Sequence, residues 1–301
     1  MPRPRAAWAA LLAAAAITAA AAPRPARALT IVIDFKSIGE SNTTGQYTDT
    51  VTAFDHAAYG FADEQLPTLI SSIMTELNRD YKGIPTKATL AASPINAGFE
   101  LNIDFVVGNI GQAPSNGDVE YYYAQVGTYA GPVGGTFQNA LGVAAPSYVR
   151  NGNGTDGAAG IGAVVATIFA NNIRNLGVLT PSNALTSGDL TYSTFAIEGT
   201  LAHEIAHTLS LDHINKTGSV QPNGLPPLMG TGAIDLPNQD RIMDREFSLS
   251  GVNTEQGGAA EPQLAQLVTA VGVRAVPEPG AVGLLVLFAG AAMAHRRRRA
   301  A

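Results

Sequence analysis

Alternation of apolar and polar residues along the chain predicts four strands. Leu29–Phe35 (LTIVIDF) alternates and is rich in β-branched residues, so a strand begins almost directly after the N-terminal segment. In residues 99–105 an apolar side chain occupies every second position, which predicts a strand with one solvated face. Residues 119–129 and 141–149 are two further strand candidates.

Apolar residues at helical spacing predict three helices outside the histidine-rich region. The longest stripe runs over residues 63–82, where Asp63 suits the N-cap and Gly83 follows the last turn. The apolar run within residues 161–176 predicts a second helix. A shorter stripe over residues 264–271 predicts a final helix.

Two stretches allow more than one interpretation. The tyrosines at positions 121–123 either line a substrate cleft or form part of an amphipathic strand, and the strand is favoured. The stretch 151–160 (NGNGTDGAAG) fails the pattern of an EF-hand calcium loop, since Gly157 comes one place late and Gly162 stands where the loop needs glutamate. A surface loop is therefore predicted, and calcium as a cofactor has no support.

Three of the five histidines fall within the eleven residues 203–213 (HEIAHTLSLDH). On a helix, His203 and His207 lie one turn apart on the same face, so both imidazoles can reach one metal ion. Glu204 stands beside them, placed to hold a water molecule rather than to bind the ion. The alternative is a helix whose histidines are unrelated core or surface residues.

The third histidine sets a condition on the backbone. If the helix continued, His213 would lie about 9 Å beyond His207, at about 1.5 Å per residue. Zinc–nitrogen bonds are only about 2.1 Å long, so the helix must end near Leu209 or Ser210 and turn back. His203, His207 and His213 would then leave a fourth zinc position for water, which is the arrangement of a catalytic site. The helix itself is predicted to begin near Ser193 or Thr194.

This segment resembles the zinc signature of the metzincin metallopeptidases, HExxHxxGxxH followed by a methionine-containing turn. Ser210 stands where the family has a glycine. A left-handed non-glycine residue costs roughly 1–2 kcal/mol, which metal binding can offset. The resemblance implies one catalytic zinc ion bound by His203, His207 and His213, with Glu204 as the general base.

The family's methionine turn has two candidates here. Met229 lies between two prolines and Gly230 in PPLMG, a sequence typical of a tight turn, and it is favoured over Met243. No tyrosine follows Met229, which resembles the matrixin type of metzincin. The implied fold is α+β, with a twisted mixed sheet and two long helices above the cleft and a small irregular C-terminal subdomain below it.

Composition and charge narrow the classes of function. The chain has 301 residues, enough for one large domain, and 46% hydrophobic residues, enough for a substantial core. It has no cysteine, so disulfides and thiolate metal sites are excluded. Between positions 29 and 274, 23 acidic residues face 10 basic ones, a net charge of about −13. Such an acidic body does not favour nucleic acid as a partner.

Both ends of the chain have the composition of trafficking signals. Residues 1–28 predict a secretory signal peptide, with Arg3 and Arg5, an alanine-rich apolar run and an A-x-A cleavage site; an uncleaved anchor is the alternative. Residues 276–301 join Val-Pro-Glu-Pro, a short apolar run and four arginines. They resemble the PEP-CTERM sorting signal that exosortases process in Gram-negative bacteria.

The C-terminal signal implies membrane contact through residues 280–295, transient or permanent. Its fourteen central apolar residues fall short of the roughly 20 that span a bilayer. The arginines would stay on the cytoplasmic side, so the domain would face outward beyond the inner membrane. The chain thus divides into a signal peptide (1–28), a metallopeptidase-like domain (29–275) and a sorting signal (276–301).

Together these patterns predict a secreted, surface-sorted zinc endopeptidase acting on a protein or peptide, with an exosortase as a processing partner. Two other interpretations stay open. The domain is then either a structural or binding protein of the extracellular matrix with a zinc-stabilised, feebly active site, or a zinc hydrolase acting on a matrix polymer. Intact Glu204 argues against a purely structural site, which has no use for a general base.

Overall fold

The computed structural model describes residues 28–36, 42–43, 50–82, 98–118, 120–144, 150–151, 155–156, 161–175, 189–220, 224–230, 236–248, 250–253 and 260–276. Except for Ala28 and Val276, the predicted signal peptide and the predicted sorting signal lie outside these residues. Within them, no helix is both long and apolar enough to cross a membrane.

The strands, in chain order, are β1 (Leu29–Phe35), β2 (Asn42–Thr43), β3 (Thr50–Thr52), β4 (Phe99–Leu101), β5 (Ile103–Val107), β6 (Tyr121–Tyr129), β7 (Gly142–Ala144), β8 (Arg150–Asn151), β9 (Thr155–Asp156), β10 (Val164–Phe169), β11 (Ile214–Val220), β12 (Ser250–Asn253), β13 (Ala260–Glu261) and β14 (Val273–Ala275). The helices are α1 (Leu66–Lys82), α2 (Ala170–Ile173), α3 (Leu190–Thr208), α4 (Asn238–Arg241) and α5 (Gln263–Val271). Two short 3₁₀ turns, Ala57–Tyr59 and Asp63–Gln65, precede α1.

The main sheet has the strand order β5-β1-β6-β10-β7. The first four strands are parallel and β7 is antiparallel to β10. The pair β2–β3 extends the sheet from the far end of β6. The first six residues of β1 are all buried, as expected for a parallel strand covered on both faces. The sheet is therefore mixed and mostly parallel.

The prediction of a helix over residues 161–176 is wrong. Residues 164–169 form β10, an inner strand between β6 and β7, and only the single turn α2 follows. Val165, Ala166, Ile168 and Phe169 are all buried, so the strand has no solvated face. A short, continuous apolar run of this kind does not show by its periodicity whether it is a strand or a helix.

The two long helices pack against each other and against the sheet. Helix α1 agrees with the predicted stripe and buries Leu69, Ile73, Leu77 and Tyr81, although its first turn is 3₁₀ rather than α-helical. The Tyr81 hydroxyl donates a hydrogen bond of 2.8 Å to the carbonyl of Ala202, which links α1 to α3.

Helix α3 begins earlier than predicted. Its N-cap is Asp189, whose carboxylate accepts a hydrogen bond of 3.1 Å from the backbone N–H of Tyr192. Ser193 and Thr194, the predicted start, instead lie inside the helix and are buried. A capping aspartate satisfies a free N–H of the first turn as well as serine or threonine does, so residue type did not discriminate between these positions.

The predicted strand over residues 99–105 is divided in two. Asn102 interrupts it, and its backbone N–H donates to the carbonyl of Gly272. β4 then pairs with β14, whereas β5 joins the main sheet beside β1. Arg274, on β14, contacts the carboxylates of Glu100 and Asp104 at 2.7 Å, and these ion pairs link β14 to β4 and β5.

The remaining predictions of local structure had mixed outcomes. Residues 121–129 form β6, in which Tyr122 and Tyr123 are buried, so the strand interpretation of the tyrosine run is confirmed. Of the predicted strand 141–149, residues 142–144 form β7 and residues 145–149 lie outside the described chain. The predicted final helix is present as α5.

Candidate metal centre

Helix α3 presents the first two histidines on one face. The Nε2 atoms of His203 and His207 lie 3.1 Å apart. The opposite side of the helix carries Ile197, Leu201, Ile205 and Leu209, which are four residues apart and all fully buried. Burial of this stripe fixes the rotation of the helix and so the direction of both imidazoles.

The helix then ends as the third histidine requires. Thr208 is its last residue, and Ser210 adopts a left-handed conformation with φ of 71°. The N–H of Ser210 donates to the carbonyl of His207, and the N–H of Leu211 donates to the carbonyl of Ala206. These two hydrogen bonds form a Schellman motif, the usual closure of a helix by a left-handed residue. The predicted termination near Leu209 or Ser210 is confirmed.

This turn brings His213 back to the other two histidines. Its Nε2 atom lies 3.1 Å from that of His203 and 3.0 Å from that of His207. The three nitrogens form a nearly equilateral triangle. Nitrogens bonded at about 2.1 Å to one tetrahedral ion are about 3.4 Å apart, so this spacing fits a single metal ion closely.

Backbone carbonyls set the orientation of two of the rings. The Nδ1 atom of His203 lies 2.8 Å from the carbonyl oxygen of Leu228, and that of His207 lies 2.7 Å from the carbonyl oxygen of Leu211. A carbonyl only accepts, so each Nδ1 carries the proton and each Nε2 keeps a lone pair facing the centre of the triangle. Burial and the two neighbouring imidazoles hold the pKa of His203 well below its usual value, which keeps that ring neutral and able to bind a cation.

The turn that carries Met229 is joined directly to the histidines. The N–H of Gly230 donates to the carbonyl of Pro227, and the N–H of Ile214 donates to the carbonyl of Met229. Met229 is fully buried, whereas Met243 is 46% exposed. The preceding residue, Leu228, holds the ring of His203. These contacts favour Met229 over Met243 as the structural methionine.

Glu204 lines the same cavity as the histidines and is largely buried. Its side chain is only 8% exposed, and burial raises the pKa of its carboxyl group to about 8. Gly142 of β7 lies against it so closely that a Cβ at position 142 would come within 2.7 Å of Cγ of Glu204. A raised pKa near neutrality suits a carboxylate that accepts and then returns a proton.

The cavity around this site has a volume of about 410 Å³. It lies between α3, the strand β7, the turn at Gly230 and the segment around α4. Its lining comprises Leu141, Gly142, Val143, Ala144, Thr200, His203, Glu204, His207, Asp212, His213, Gly230, Arg241 and Arg245. None of the three tyrosines at positions 121–123 contributes to it.

Sequence reasoning missed two groups of cavity residues. The first is β7, which was predicted as a strand but not placed at the site. The second is the pair Arg241 and Arg245, which flank the rejected candidate Met243. Only their basic charge in an acidic domain could have drawn attention to them. His56, the other histidine of the domain, lies elsewhere and contacts Asp63 at 3.0 Å.

Comparisons with known proteins add little to this geometry. The chain matches no protein-family model, and no curated protein matches it at a significant level. Among solved structures it is paired with one titled "GM1 bound form of the ECX AB5 holotoxin", at 15% identity and a TM-score of 0.29. That match covers 80% of this chain and 79% of the other. So low a TM-score supports no conclusion about the fold or function of this chain.

Proposed function

We propose that this protein is a zinc-dependent endopeptidase of metzincin type. The observation that carries the proposal is the triangle of three Nε2 atoms, 3.0–3.1 Å apart, with buried Glu204 beside it at one cavity. Neutral imidazoles are preferred zinc ligands, and three protein ligands leave one position open for water. No thiolate can be among the metal ligands, since the chain has no cysteine.

Each residue of the site has a separate role in peptide hydrolysis. A zinc ion held by His203, His207 and His213 would acidify water and polarise the scissile carbonyl. Glu204 accepts the proton of the attacking water and delivers it to the leaving amine. Its burial keeps the carboxylate poorly solvated, which favours proton uptake at neutral pH.

The strand β7 supports an extended substrate. One edge of β7 pairs with β10, and no described strand pairs with the other edge. Gly142 contacts Glu204, so an extended peptide that adds to this edge would bring its backbone to the general base. A groove that holds backbone in this way suits endopeptidase cleavage of unfolded or loop segments.

The proposal extends to where the enzyme acts. Residues 1–28 and 276–301 carry the patterns of a secretory signal and an exosortase-processed sorting signal. We therefore place the domain beyond the inner membrane, at the cell surface or in the matrix outside it. Its substrates would be proteins or peptides of that compartment, and its acidic body gives no support for nucleic acid.

The proposal is tested by metal analysis and proteolysis on purified residues 29–275. We expect about one zinc ion per chain by mass spectrometry and cleavage of casein that a chelator abolishes. The variant Glu204→Gln should keep its zinc and lose activity by orders of magnitude, since the general base is removed. Glu64→Gln, at an exposed position, serves as the matched control and should behave as wild type.

Other outcomes would contradict the proposal in distinct ways. Absence of zinc would mean that the three histidines do not form a metal site. One zinc ion without cleavage of protein substrates would favour the structural role, or a hydrolase acting on a matrix polymer. Full activity of Glu204→Gln would exclude the proposed mechanism.

A further inference from the structure

Two arginines form one wall of the active-site cavity. Arg241 ends α4 and Arg245 follows it by four residues, and both line the same cavity as Glu204 and His203. The middle of the chain has only 10 basic residues, so two of them at one cavity are a notable concentration. Two cations in a confined space attract an anionic group.

Arg245 is a buried cation with carboxylates nearby. It is 2% exposed, and its guanidinium lies directly against Gly199 of α3, where any side chain would overlap it. Burial lowers its pKa to about 10, and the nearby carboxylates of Glu198 and Asp80 partly oppose that shift. Its Nε and Nη2 atoms are sealed from solvent without a hydrogen-bond partner. Arg245 therefore adds a buried positive charge to the cavity wall, which Glu198 and Asp80 partly offset.

Arg241 is placed differently. It is partly buried, and no ion pair joins it to a carboxylate in the described part of the chain. Its neighbour Asp240 is engaged elsewhere, at 2.6 Å from the Nζ atom of Lys216. The acids that line the cavity with it are Glu204 and Asp212. Arg241 is thus a cation that faces the cavity and repels Arg245 beside it.

We propose that Arg241, supported by Arg245, binds a carboxylate of the substrate close to the scissile bond. The inference rests on the peptidase function proposed above and assigns its substrate class, peptides with an acidic group near the cleavage site. That carboxylate belongs either to an aspartate or glutamate side chain or to the free C-terminus of the substrate. Both sources present the same chemistry to a guanidinium.

The helix supplies a scale for the distance to the reacting atoms. Thr200 and Glu204 both line the cavity and stand one helical turn apart, about 6 Å along the axis, which gives a scale for the cavity. An extended peptide advances about 3.3 Å per residue. Because Arg241 lines the same cavity as Glu204, the carboxylate that it binds would sit on a residue within a few positions of the cleaved bond.

The test uses amidated peptides that differ by a single glutamate or glutamine at each position around one cleavage site. At one position we expect kcat/KM to be about tenfold to a hundredfold higher for glutamate, the usual effect of a hydrogen bond to a charged group. Arg241→Met should remove this preference, and Arg241→Lys should retain part of it. Arg174→Met, outside the cavity, is the matched control and should keep the full preference. A matching peptide with glutamine and a free C-terminus distinguishes a terminal carboxylate from a side chain.

Binding measurements separate this inference from the proposed function. The zinc-loaded Glu204→Gln protein should bind the glutamate peptide at least tenfold more tightly than the glutamine peptide, and Arg241→Met in that background should equalise them. If that preference is found but the wild type cleaves no peptide, the peptidase proposal fails and the carboxylate site stands. If glutamate and glutamine peptides are cleaved and bound alike at every position, and the free C-terminus has no effect, the carboxylate site is excluded.

Discussion

The left-handed turn at Ser210 predicts that replacing this serine with glycine stabilises the protein. Ser210 has a φ of 71° and is the only non-glycine residue with positive φ in the described chain. The turn is also what returns His213 to the other two histidines. The two hydrogen bonds of the Schellman motif run from backbone to backbone, so glycine can make both of them.

The expected gain follows from two opposing terms. Relief of a left-handed non-glycine conformation is worth roughly 1–2 kcal/mol. The greater flexibility of glycine in the unfolded chain costs about 0.5–1 kcal/mol. The net stabilisation of Ser210→Gly then lies between about 0 and 1.5 kcal/mol, and the midpoint of about 0.75 kcal/mol corresponds to about 1.5–3 °C in Tm for a domain of this size. Ser210→Val should have the opposite effect, because a β-branched residue is more strained at this φ.

Thermal unfolding by calorimetry, with and without zinc, checks this prediction. The gain of Ser210→Gly should be the same in metal-free and zinc-loaded protein, because the hydrogen bonds of the turn involve no metal. Zinc affinity, measured by competition with a chelator, should stay unchanged for the same reason. A lower Tm for Ser210→Gly would refute the argument from strain. A gain confined to the zinc-loaded protein would show that the turn forms only when the ion binds.

Three further predictions concern the surroundings of the site. Gly142→Ala should keep zinc and lower kcat/KM by about a hundredfold, because its Cβ would displace Glu204; an unchanged kcat/KM with normal folding would contradict this contact. Met229→Ala should lower the free energy of unfolding by about 2–5 kcal/mol, because Met229 is fully buried. Met243→Ala, at a position 46% exposed, should change it by under about 0.5 kcal/mol. Equal effects of the two variants in urea titrations would contradict the choice of Met229 as the structural methionine. In the metal-free folded protein, burial raises the pKa of Glu204 to about 8, whereas in the unfolded chain it is about 4.5. Between these pH values only the folded state holds the proton, so the free energy of unfolding falls as the pH rises from 4.5 to 8. Urea unfolding of wild type and Glu204→Gln at pH 5.5 and 8.5 measures this, and an equal pH dependence of both proteins would exclude the raised pKa.

The sequence alone was sufficient for the elements with a strong pattern. The strand Leu29–Phe35 follows from its β-branched residues and apolar positions. The helices at residues 66–82 and 263–271 follow from helical spacing, because each has one face whose burial repeats with a fixed period. The condition on His213 also follows from the sequence. Bond lengths to a metal ion are so short that the spacing of the histidines already requires the helix to end.

The tertiary structure alone decided which elements meet at the site. Residues 164–169 form a strand because their backbone pairs with β6 and β7 inside the sheet, where both of their faces are buried. The continuous apolar run in the sequence does not show this pairing. Asn102 broke a regular alternation because its N–H found a partner, Gly272, 170 positions later in the chain.

The same division holds for the cavity. The three histidines and Glu204 are close in sequence, so helical geometry and one turn suffice to relate them. Gly142, Arg241 and Arg245 reach the cavity from distant segments, and their positions depend on strand order and on how the C-terminal segment packs against α3. Local spacing therefore determined the candidate metal-ligand set, whereas long-range packing determined the cavity walls, because contacts between distant segments leave no periodic trace in the sequence.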